Sequence, residues 1–219
     1  MAKRGEETQR GRKNRPTYPI AIIVCDGKKT EPIYFRQMKM QQRHKPIKIE
    51  IVKGAAGQSY DALIKEAERA VNEYVLETDS SKYTVWCVSD VDVDHNTPGS
   101  ISAKNTQLKK YETDAKRRGF KIVLSNPCFE LWYLLHFDYS TGIMQNYNAV
   151  LDKLSISAYL PNYKKNSDVY NMLADKQTTA TDNAKKLHRY HKSQGKIDFM
   201  NVSANPYTNV WKLVEFINN

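Results

Sequence analysis

Cysteine is scarce in this sequence. The 219 residues include three cysteines, Cys25, Cys87 and Cys128, and no two of them form a Cys-x-x-Cys pair. Each lies in an apolar or strand-like stretch, where a free cysteine behaves as a small hydrophobic residue. The odd number and wide spacing argue against a disulfide scaffold and a zinc cluster, and they favour a reducing compartment.

Long apolar runs are also missing. The apolar runs at residues 20–25 and 131–137 are far too short to span a bilayer. The first 15 residues are polar and basic and lack the apolar segment of a signal peptide. We therefore expect a cytoplasmic protein without a membrane segment.

Acidic residues are outnumbered by basic ones. The chain has 34 Lys and Arg residues against 24 Asp and Glu residues, a net charge of +10. Such a balance attracts polyanions, with nucleic acid as the first candidate, although surplus lysine can also serve solubility alone. Residues 1–15 are predicted to form a disordered basic arm, which either follows a phosphate backbone or is a solvated terminus.

Strand-like and helix-like segments alternate from residue 18 to residue 137. Apolar runs rich in β-branched residues are followed by segments with apolar residues at helical spacing. This order predicts a four-stranded, mainly parallel α/β sheet flanked by helices. The predicted strands are residues 18–25, 47–52, 83–89 and 120–124, and the predicted helices are residues 33–42, 59–76, 104–118 and 128–137.

The composition changes after residue 138. Tyr, Asn, Ser and Lys become frequent, and the two best helical patterns are residues 179–193 and 205–217. We expect residues 16–138 to form the α/β domain and residues 139–219 to form a helical appendage packed on it. Within the α/β domain, Thr30 is the expected N-cap of the first helix.

Carboxylates follow three of the predicted strands. Asp26 comes after the first strand, Asp90 and Asp92 after the third, and Glu130 lies in the first turn of the helix after the fourth. Ligands of open α/β sheets bind just outside the carboxyl ends of the strands. Oxygen ligands suit hard cations such as Mg²⁺, and a metal held there can assist phosphoryl transfer.

An EF-hand loop and a phosphatase motif both fit the acidic cluster less well. An EF-hand loop starting at Asp90 fails, because His95 stands where Gly is required and Ile101 where Glu is required. A haloacid-dehalogenase-type phosphatase also has Asp-x-Asp after a strand, but Asp94 stands where that group has Thr or Val. Asp90, Asp92 and Asp94 can also be solvated loop-capping residues without a metal.

Several segments resemble motifs of a known family. Residues 24–35 are similar to the opening motif CEGxxTEPxYF of the RloB-like family, and Asp90-Val91-Asp92 resembles its strand-end Asp-x-Asp. Residues 126–137 resemble its block NPCFELWLLLHF, and Tyr163-Lys164-Lys165 and residues 205–214 match later blocks. The resemblance spans nearly the whole chain after the basic arm.

The resemblance implies a function. The family is a branch of the Toprim-like group, so it implies an Mg²⁺-dependent (or Mn²⁺-dependent) endonuclease of prokaryotic anti-phage defence, with an ABC/AAA-type ATPase encoded alongside as partner. Asp90 and Asp92 would hold metal, and Asp26 would occupy the position of the catalytic Glu. Asp is one methylene shorter, and a displacement above about 1 Å can cost roughly 100-fold in rate.

Further residues are candidates for the site. Glu31 and Glu130 are possible additional metal ligands, although each lies in a first helical turn, where the helix dipole alone favours a carboxylate. Candidate nucleic-acid contacts are Lys28, Lys29, Lys109, Lys110, Lys164 and Lys165, with charged, solvated surfaces as the alternative. His136 is expected to be a core histidine.

Two functions therefore compete. The first is a metal-dependent nuclease that hydrolyses phosphodiesters of nucleic acid. The second is a non-catalytic nucleic-acid-binding or scaffolding subunit of the ATPase complex, with a degenerate site because of Asp26.

Overall fold

The computed structural model describes residues 19–45, 47–54, 59–76, 82–156, 159–196 and 198–219. The predicted basic arm at residues 1–15 lies outside the described residues. Within the described ranges, no helix combines the length and apolar character needed to cross a membrane.

A five-stranded, mostly parallel sheet forms the centre of the fold. The strands are β1 (Ile20–Cys25), β2 (Lys48–Lys53), β3 (Tyr83–Asp90), β4 (Lys121–Asn126) and β5 (Tyr207–Thr208). Their order is β2-β1-β3-β4-β5, and β5 alone among them pairs antiparallel, with Ser125 opposite Thr208. The predicted α/β class is confirmed.

The prediction of four strands was wrong by one. β5 has only two residues, so its sequence shows no alternation from which a strand can be predicted. Its position depends on tertiary contacts: the hydroxyls of Ser125 and Thr208 lie 3.0 Å apart, and the backbone N–H of Leu124 donates to the side-chain oxygen of Asn209 at 2.7 Å. Residues 139–219 therefore contribute a strand as well as helices.

Eight α-helices lie in the described residues, on both faces of the sheet. They are α1 (Thr30–Gln41), α2 (Tyr60–Leu76), α3 (Ser100–Arg117), α4 (Glu130–Leu135), α5 (Tyr147–Ile156), α6 (Tyr170–Leu173), α7 (Gln177–Ser193) and α8 (Val210–Asn218). A short 3-10 helix, Ala174–Lys176, connects α6 and α7.

Two apolar clusters cover the two faces. On β1, Ile20, Ile22 and Val24 point to the face covered by α2 and α3, and Ala21 and Ile23 point to the face covered by the other helices. Strand side chains alternate between faces, so a strand buried on both must be apolar throughout. The continuous apolar run at residues 20–25 had predicted this.

The helix boundaries differ from the predicted ones at several places. α3 begins four residues earlier than predicted, α4 is shorter, and α8 begins at Val210 because residues 205–208 form a loop and β5. The expected N-cap at Thr30 was wrong: Lys29 occupies that position, and the Thr30 hydroxyl contacts Glu130 and Lys165 instead.

An asparagine pair connects β4 to the segment before β5. The side-chain amide of Asn126 donates to the carbonyls of Val202 and Ala204 at 2.9 and 2.7 Å, and the amide of Asn205 donates to Asn126 Oδ1 at 3.0 Å. Asn205 also donates to the carbonyl of Met144 at 2.8 Å. Because a buried amide left without partners is costly, these bonds fix the chain between β4 and β5.

His136 is a buried core histidine, as predicted. Its Nδ1 lies 2.8 Å from the carbonyl of Trp132 and therefore carries the proton, and Nε2 faces the side-chain amide of Gln177 at 3.3 Å. The same amide donates to the Tyr34 hydroxyl at 2.7 Å, as does the indole N–H of Trp132 at 2.8 Å. Burial lowers the pKa of His136 from its ordinary value of 6.5 to about 4.

This environment predicts a pH-dependent contribution of His136 to stability. The neutral ring is favoured in the fold, so its contribution is complete above pH 6.5 and declines as the pH falls toward 4, by about 3 kcal/mol in total. We expect the stability difference between wild type and His136→Asn to shrink by this amount between pH 7 and pH 4, measured by urea unfolding. Asn keeps a donor for the Trp132 carbonyl, and the buried carboxylates, common to both proteins, cancel. A difference independent of pH would contradict the prediction.

Candidate functional site

One cleft at the carboxyl ends of the parallel strands contains every predicted carboxylate. Its volume is about 290 Å³, and its lining residues are Asp26, Gly27, Lys28, Lys29, Thr30, Glu31, Asp90, Asp92, Glu130 and Lys165. Residues more than 100 positions apart in the sequence therefore meet at one edge of the sheet. The pattern of strand-end carboxylates had predicted this meeting.

Adjacent strands bring Asp26 and Asp90 to the same edge. In the parallel register of β1 and β3, Cys25 lies opposite Val88, and the backbone N–H of Asp26 donates to the carbonyl of Val88 at 2.8 Å. The ladder thus continues to Asp26, and Asp90 ends the neighbouring strand. Both carboxylates are placed by sheet hydrogen bonds rather than by a free loop.

Hydrogen bonds also fix the backbone from Asp90 to Asp92. The Tyr60 hydroxyl donates to the carbonyl of Asp90 at 2.8 Å. The N–H groups of Val91 and Asp92 donate to the carbonyls of Ser125 and Pro127 at 2.8 and 3.3 Å. Asp92 has a φ of 32°, a value that non-glycine residues adopt at a cost in energy and that is concentrated at functional sites.

Glu130 is held by two hydroxyl groups. Tyr163 donates to Glu130 Oε1 at 3.0 Å, and the Thr30 hydroxyl lies 3.2 Å from the same oxygen and 3.2 Å from the carbonyl of Lys165. Glu130 is 2 % exposed. The sequence had suggested Thr30 as a helix cap, and the structure places it as a contact between the cleft carboxylate and the segment that carries Lys165.

Gly27 allows Glu31 to approach the turn after β1. Glu31 is 6 % exposed, and a Cβ at position 27 would lie 2.5 Å from Glu31 Oε2. That separation is shorter than van der Waals contact, so any other residue would displace the carboxylate. The glycine of the motif after β1 therefore serves close packing of a cleft side chain.

Burial, with a smaller contribution from like charges, raises the pKa values of three cleft carboxylates. Burial is the main cause for all three: the pKa of Asp26 rises to about 6, that of Glu31 to about 7, and that of Asp90 well above its ordinary value. Neighbouring carboxylates add to the shift. Ionised, these groups repel one another in a poorly solvated cleft.

Two carboxylate oxygens in this cleft lack hydrogen-bond partners. Asp26 Oδ1 and Asp90 Oδ1 are buried and unpaired. An unpaired buried carboxylate oxygen is costly, and a divalent cation is a suitable partner for several of them together. The all-oxygen donor set thus fits Mg²⁺ or Mn²⁺ in its chemistry. The side chains are not drawn together around a centre, however, and no group of three His, Cys, Asp or Glu able to hold a metal occurs in the described ranges.

Two lysines approach the carboxylates from different elements. Lys104 of α3, whose charge acts on both Asp26 and Asp92, has its Nζ 5.3 Å from the centre of the Tyr60 ring. Lys165 lines the cleft, with its Nζ 4.5 Å from the centre of the Tyr147 ring. The sequence suggested Lys104, like the other cations of that helix, as a phosphate contact, but it did not distinguish Lys104 as the one whose charge acts on the cleft carboxylates.

The remaining predicted lysines fall into two groups. Lys28 and Lys29 are exposed at the cleft, as is Lys165, whereas Lys164 is exposed but does not line it. Lys109 and Lys110 also lie outside the cleft lining and are paired with acids: Lys109 lies 3.0 Å from Glu112 and 2.8 Å from Asp198, and Lys110 pairs with Asp61 and Asp114.

The sequence was also compared with known proteins. The model of the family described as RloB-like protein matches residues 21–217, which include every residue that lines the cleft. The chain belongs to the RloB-like family. No curated protein sequence matches it significantly. In this RloB-like protein the segments that resemble the family motifs, residues 24–35, 89–92, 126–137 and 163–165, supply all of the cleft lining.

Buried repulsion predicts that Asp90 destabilises the metal-free protein. In EDTA, Asp90→Asn should raise the unfolding free energy by roughly 1–3 kcal/mol, because it removes a carboxyl group whose ionised form is disfavoured by burial and keeps an acceptor for the Phe129 N–H. Each kcal/mol corresponds to about 2–4 °C in melting temperature at this chain length. Mn²⁺ or Mg²⁺ should stabilise wild type in thermal-shift measurements and have little effect on the variant.

Asp94→Asn is the matched control. Asp94 is exposed and hydrogen-bonded to Asn96 and Thr97, outside the cleft lining. We expect this variant to keep the metal-induced shift and to show no gain of stability in EDTA. A metal shift retained by Asp90→Asn would show that Asp90 is not a ligand.

Proposed function

We propose that this RloB-like protein is a metal-dependent nuclease that hydrolyses phosphodiester bonds of nucleic acid. The observation that carries the proposal is the cleft at the strand ends, where Asp26, Asp90 and Asp92 meet Glu31 and Glu130, with buried carboxylate oxygens that lack partners. A structural role alone does not explain this arrangement, because its burial and repulsion destabilise the metal-free fold.

The residues divide into metal ligands and substrate contacts. Asp26, Asp90 and Asp92 would hold a divalent ion, and Glu31 and Glu130 are the candidates for additional ligands or a second ion. The ion supplies Lewis acidity and a nucleophilic water at neutral pH. Tyr163 and Thr30 hold Glu130 in place, and Tyr60 holds the backbone of Asp90.

Lysines would attract and orient the phosphate. Lys28, Lys29 and Lys165 line the same cleft as the carboxylates. As point charges on flexible stems they can contact phosphate oxygens without recognising a base sequence. Without a cation the carboxylates repel a phosphodiester, so these lysines supply the attraction that brings the backbone into the cleft.

The cellular role follows from the family rather than from the cleft. We propose that the protein is a Toprim-type effector of prokaryotic anti-phage defence, that it acts in the cytoplasm, and that it works with an ABC/AAA-type ATPase encoded alongside. Its membership in the RloB-like family supports this proposal.

Two observations favour the non-catalytic alternative. Asp26 stands at the position where the family motif has Glu, and the cleft carboxylates do not surround a common centre. A scaffolding or nucleic-acid-binding subunit with a degenerate site would have both features.

A cleavage assay separates the two functions. Wild type should cut supercoiled plasmid DNA or RNA with Mg²⁺ or Mn²⁺, and Asp90→Ala with Asp92→Ala should abolish cutting, while Asp94→Ala should not. Bis(p-nitrophenyl) phosphate and p-nitrophenyl phosphate distinguish diester hydrolysis from a small-molecule phosphatase. If wild type binds nucleic acid in a salt-sensitive way but does not cut it, even with the ATPase present, the result would support the non-catalytic alternative.

The length of the side chain at position 26 predicts a gain of function. Asp26→Glu restores the residue of the family motif and extends the carboxylate by one methylene toward the cleft. Because misplacement by about 1 Å can cost roughly 100-fold in rate, we expect kcat to rise by roughly 10- to 100-fold. Asp26→Asn is the matched loss-of-charge control and should reduce the rate. Slower cleavage by Asp26→Glu than by wild type would mean that the cleft is built for the shorter side chain.

A further inference from the structure

The cations of α3 are largely neutralised by neighbouring acids. Lys109 and Lys110 form ion pairs with acidic side chains, and Arg117 lies 2.8 Å from Asp114. The helix was the basic segment that the sequence suggested for phosphate contacts. Because its charges are paired, it offers much less attraction to a phosphate backbone than its sequence implies.

Three cations of α7 are arranged differently, although Lys185 of the same helix pairs with Glu215 of α8. Lys186, Arg189 and Lys192 are exposed, and none of them forms an ion pair in the part of the chain that the structure describes. Asp182 is the only acidic residue within α7, and it precedes Lys186 by one helical turn. We call Lys186, Arg189 and Lys192 the α7 cationic face. Its residues recur every third position and span about 9 Å along the helix axis.

Positive charge from a neighbouring helix lies near this face, in a groove that Glu112 and Asp198 also line. His188, on the same helix, has its pKa lowered first by burial and then by Lys192, Lys212 and other nearby cations. Lys212 belongs to α8 and lies with its Nζ 5.6 Å from the centre of the Trp211 ring. The cations near His188 contribute to this shift after burial, and cations of this kind also attract anions.

The α7 cationic face lies apart from the carboxylate cleft. The first residue of α7, Gln177, contacts Tyr34 and His136 in the core beside α1 and α4. Lys186 and Lys192 lie roughly 14 and 23 Å further along the helix axis. None of the three residues lines the cleft, so the face would contact a different part of the same polymer from the one in the cleft.

We propose that the α7 cationic face is an accessory binding site for the phosphodiester backbone of a nucleic acid. Three cations that form no ion pair in the described residues, of which Lys186 lies over the Tyr139 ring, extend over about 9 Å. They match about three phosphates of one strand, which are spaced about 3.4 Å apart along the axis of a duplex. The site supplies affinity without base readout. It rests on the proposed function only in the class of ligand, a nucleic acid.

The test is binding of a fluorescein-labelled 24-base-pair DNA duplex in EDTA, followed by fluorescence anisotropy from 50 to 200 mM salt. The triple variant Lys186→Gln, Arg189→Gln, Lys192→Gln should weaken binding roughly tenfold or more at low salt. It should also reduce the slope of log K against log salt by about 2–3, because about three counterion-releasing contacts are lost. Circular dichroism checks that the exposed substitutions leave the fold intact.

The matched control removes the same charge from the paired helix. Lys109→Gln, Lys110→Gln, Arg117→Gln should change the affinity by less than about threefold. Equal weakening by both triple variants would show that net charge alone matters, and it would overturn the proposal. An unchanged Kd and salt slope for the α7 variant, or no duplex binding by wild type at 50 mM salt, would overturn it as well; an acidic protein would then be the better candidate for this face.

Binding in EDTA does not depend on hydrolysis, so the two proposals fail separately. A protein that never cuts nucleic acid but loses affinity with the α7 variant supports the accessory site and contradicts the nuclease. A protein that cuts but binds equally well with and without the α7 cations contradicts the accessory site alone.

Discussion

Repulsion between buried carboxylates is the constraint on which the cleft depends. Five acidic side chains line a cleft of about 290 Å³, and Oδ1 of Asp26 and Oδ1 of Asp90 receive no hydrogen bond from the described residues. The cleft is maintained because the packing of the apolar sheet fixes the strand ends that carry the carboxylates. β1 is buried along its whole length between two apolar clusters, and their burial offsets the local electrostatic cost. The cleft therefore lowers the stability of the metal-free protein, and a bound divalent cation would reduce this cost.

Hydrogen bonds to the sheet and its neighbours fix the positions of the cleft carboxylates. The Asp90–Asp92 backbone is held by Tyr60 from α2 and by carbonyls of Ser125 and Pro127 at the end of β4. The end of β4 is in turn fixed by Asn126 through Asn205 and the loop before β5. Residues beyond 200 therefore support the cleft, which explains why the C-terminal part of the chain contributes a strand to the sheet.

The sequence predicted those strands and helices whose formation depends on local residue preferences or on a periodic apolar pattern. The apolar run of β1 and the helical spacing in α2 predicted buried elements, and parallel strands then required Asp26 and Asp90 to share an edge. β5 could not be predicted, because two residues carry no period and their pairing is a tertiary contact. The role of Thr30 was missed because a threonine at the start of a helix is usually an N-cap. Only the fold brings Glu130 to its hydroxyl.

Charge was the least predictable property, since its effect depends on neighbours rather than on composition. Lys110 of α3 and Arg189 of α7 have the same formal charge, but the first meets Asp61 across the gap to α2 and the second meets no acid in the described residues. The helix with the most basic residues is therefore not the one with the most cations free of ion pairs in the described residues. A net charge of +10 describes the molecule poorly, because acids concentrated in the cleft and unpaired cations on α7 belong to separate surfaces. Under the two proposals, this separation would let the α7 cations hold one part of a polyanion while another part reaches the cleft and the lysines that line it.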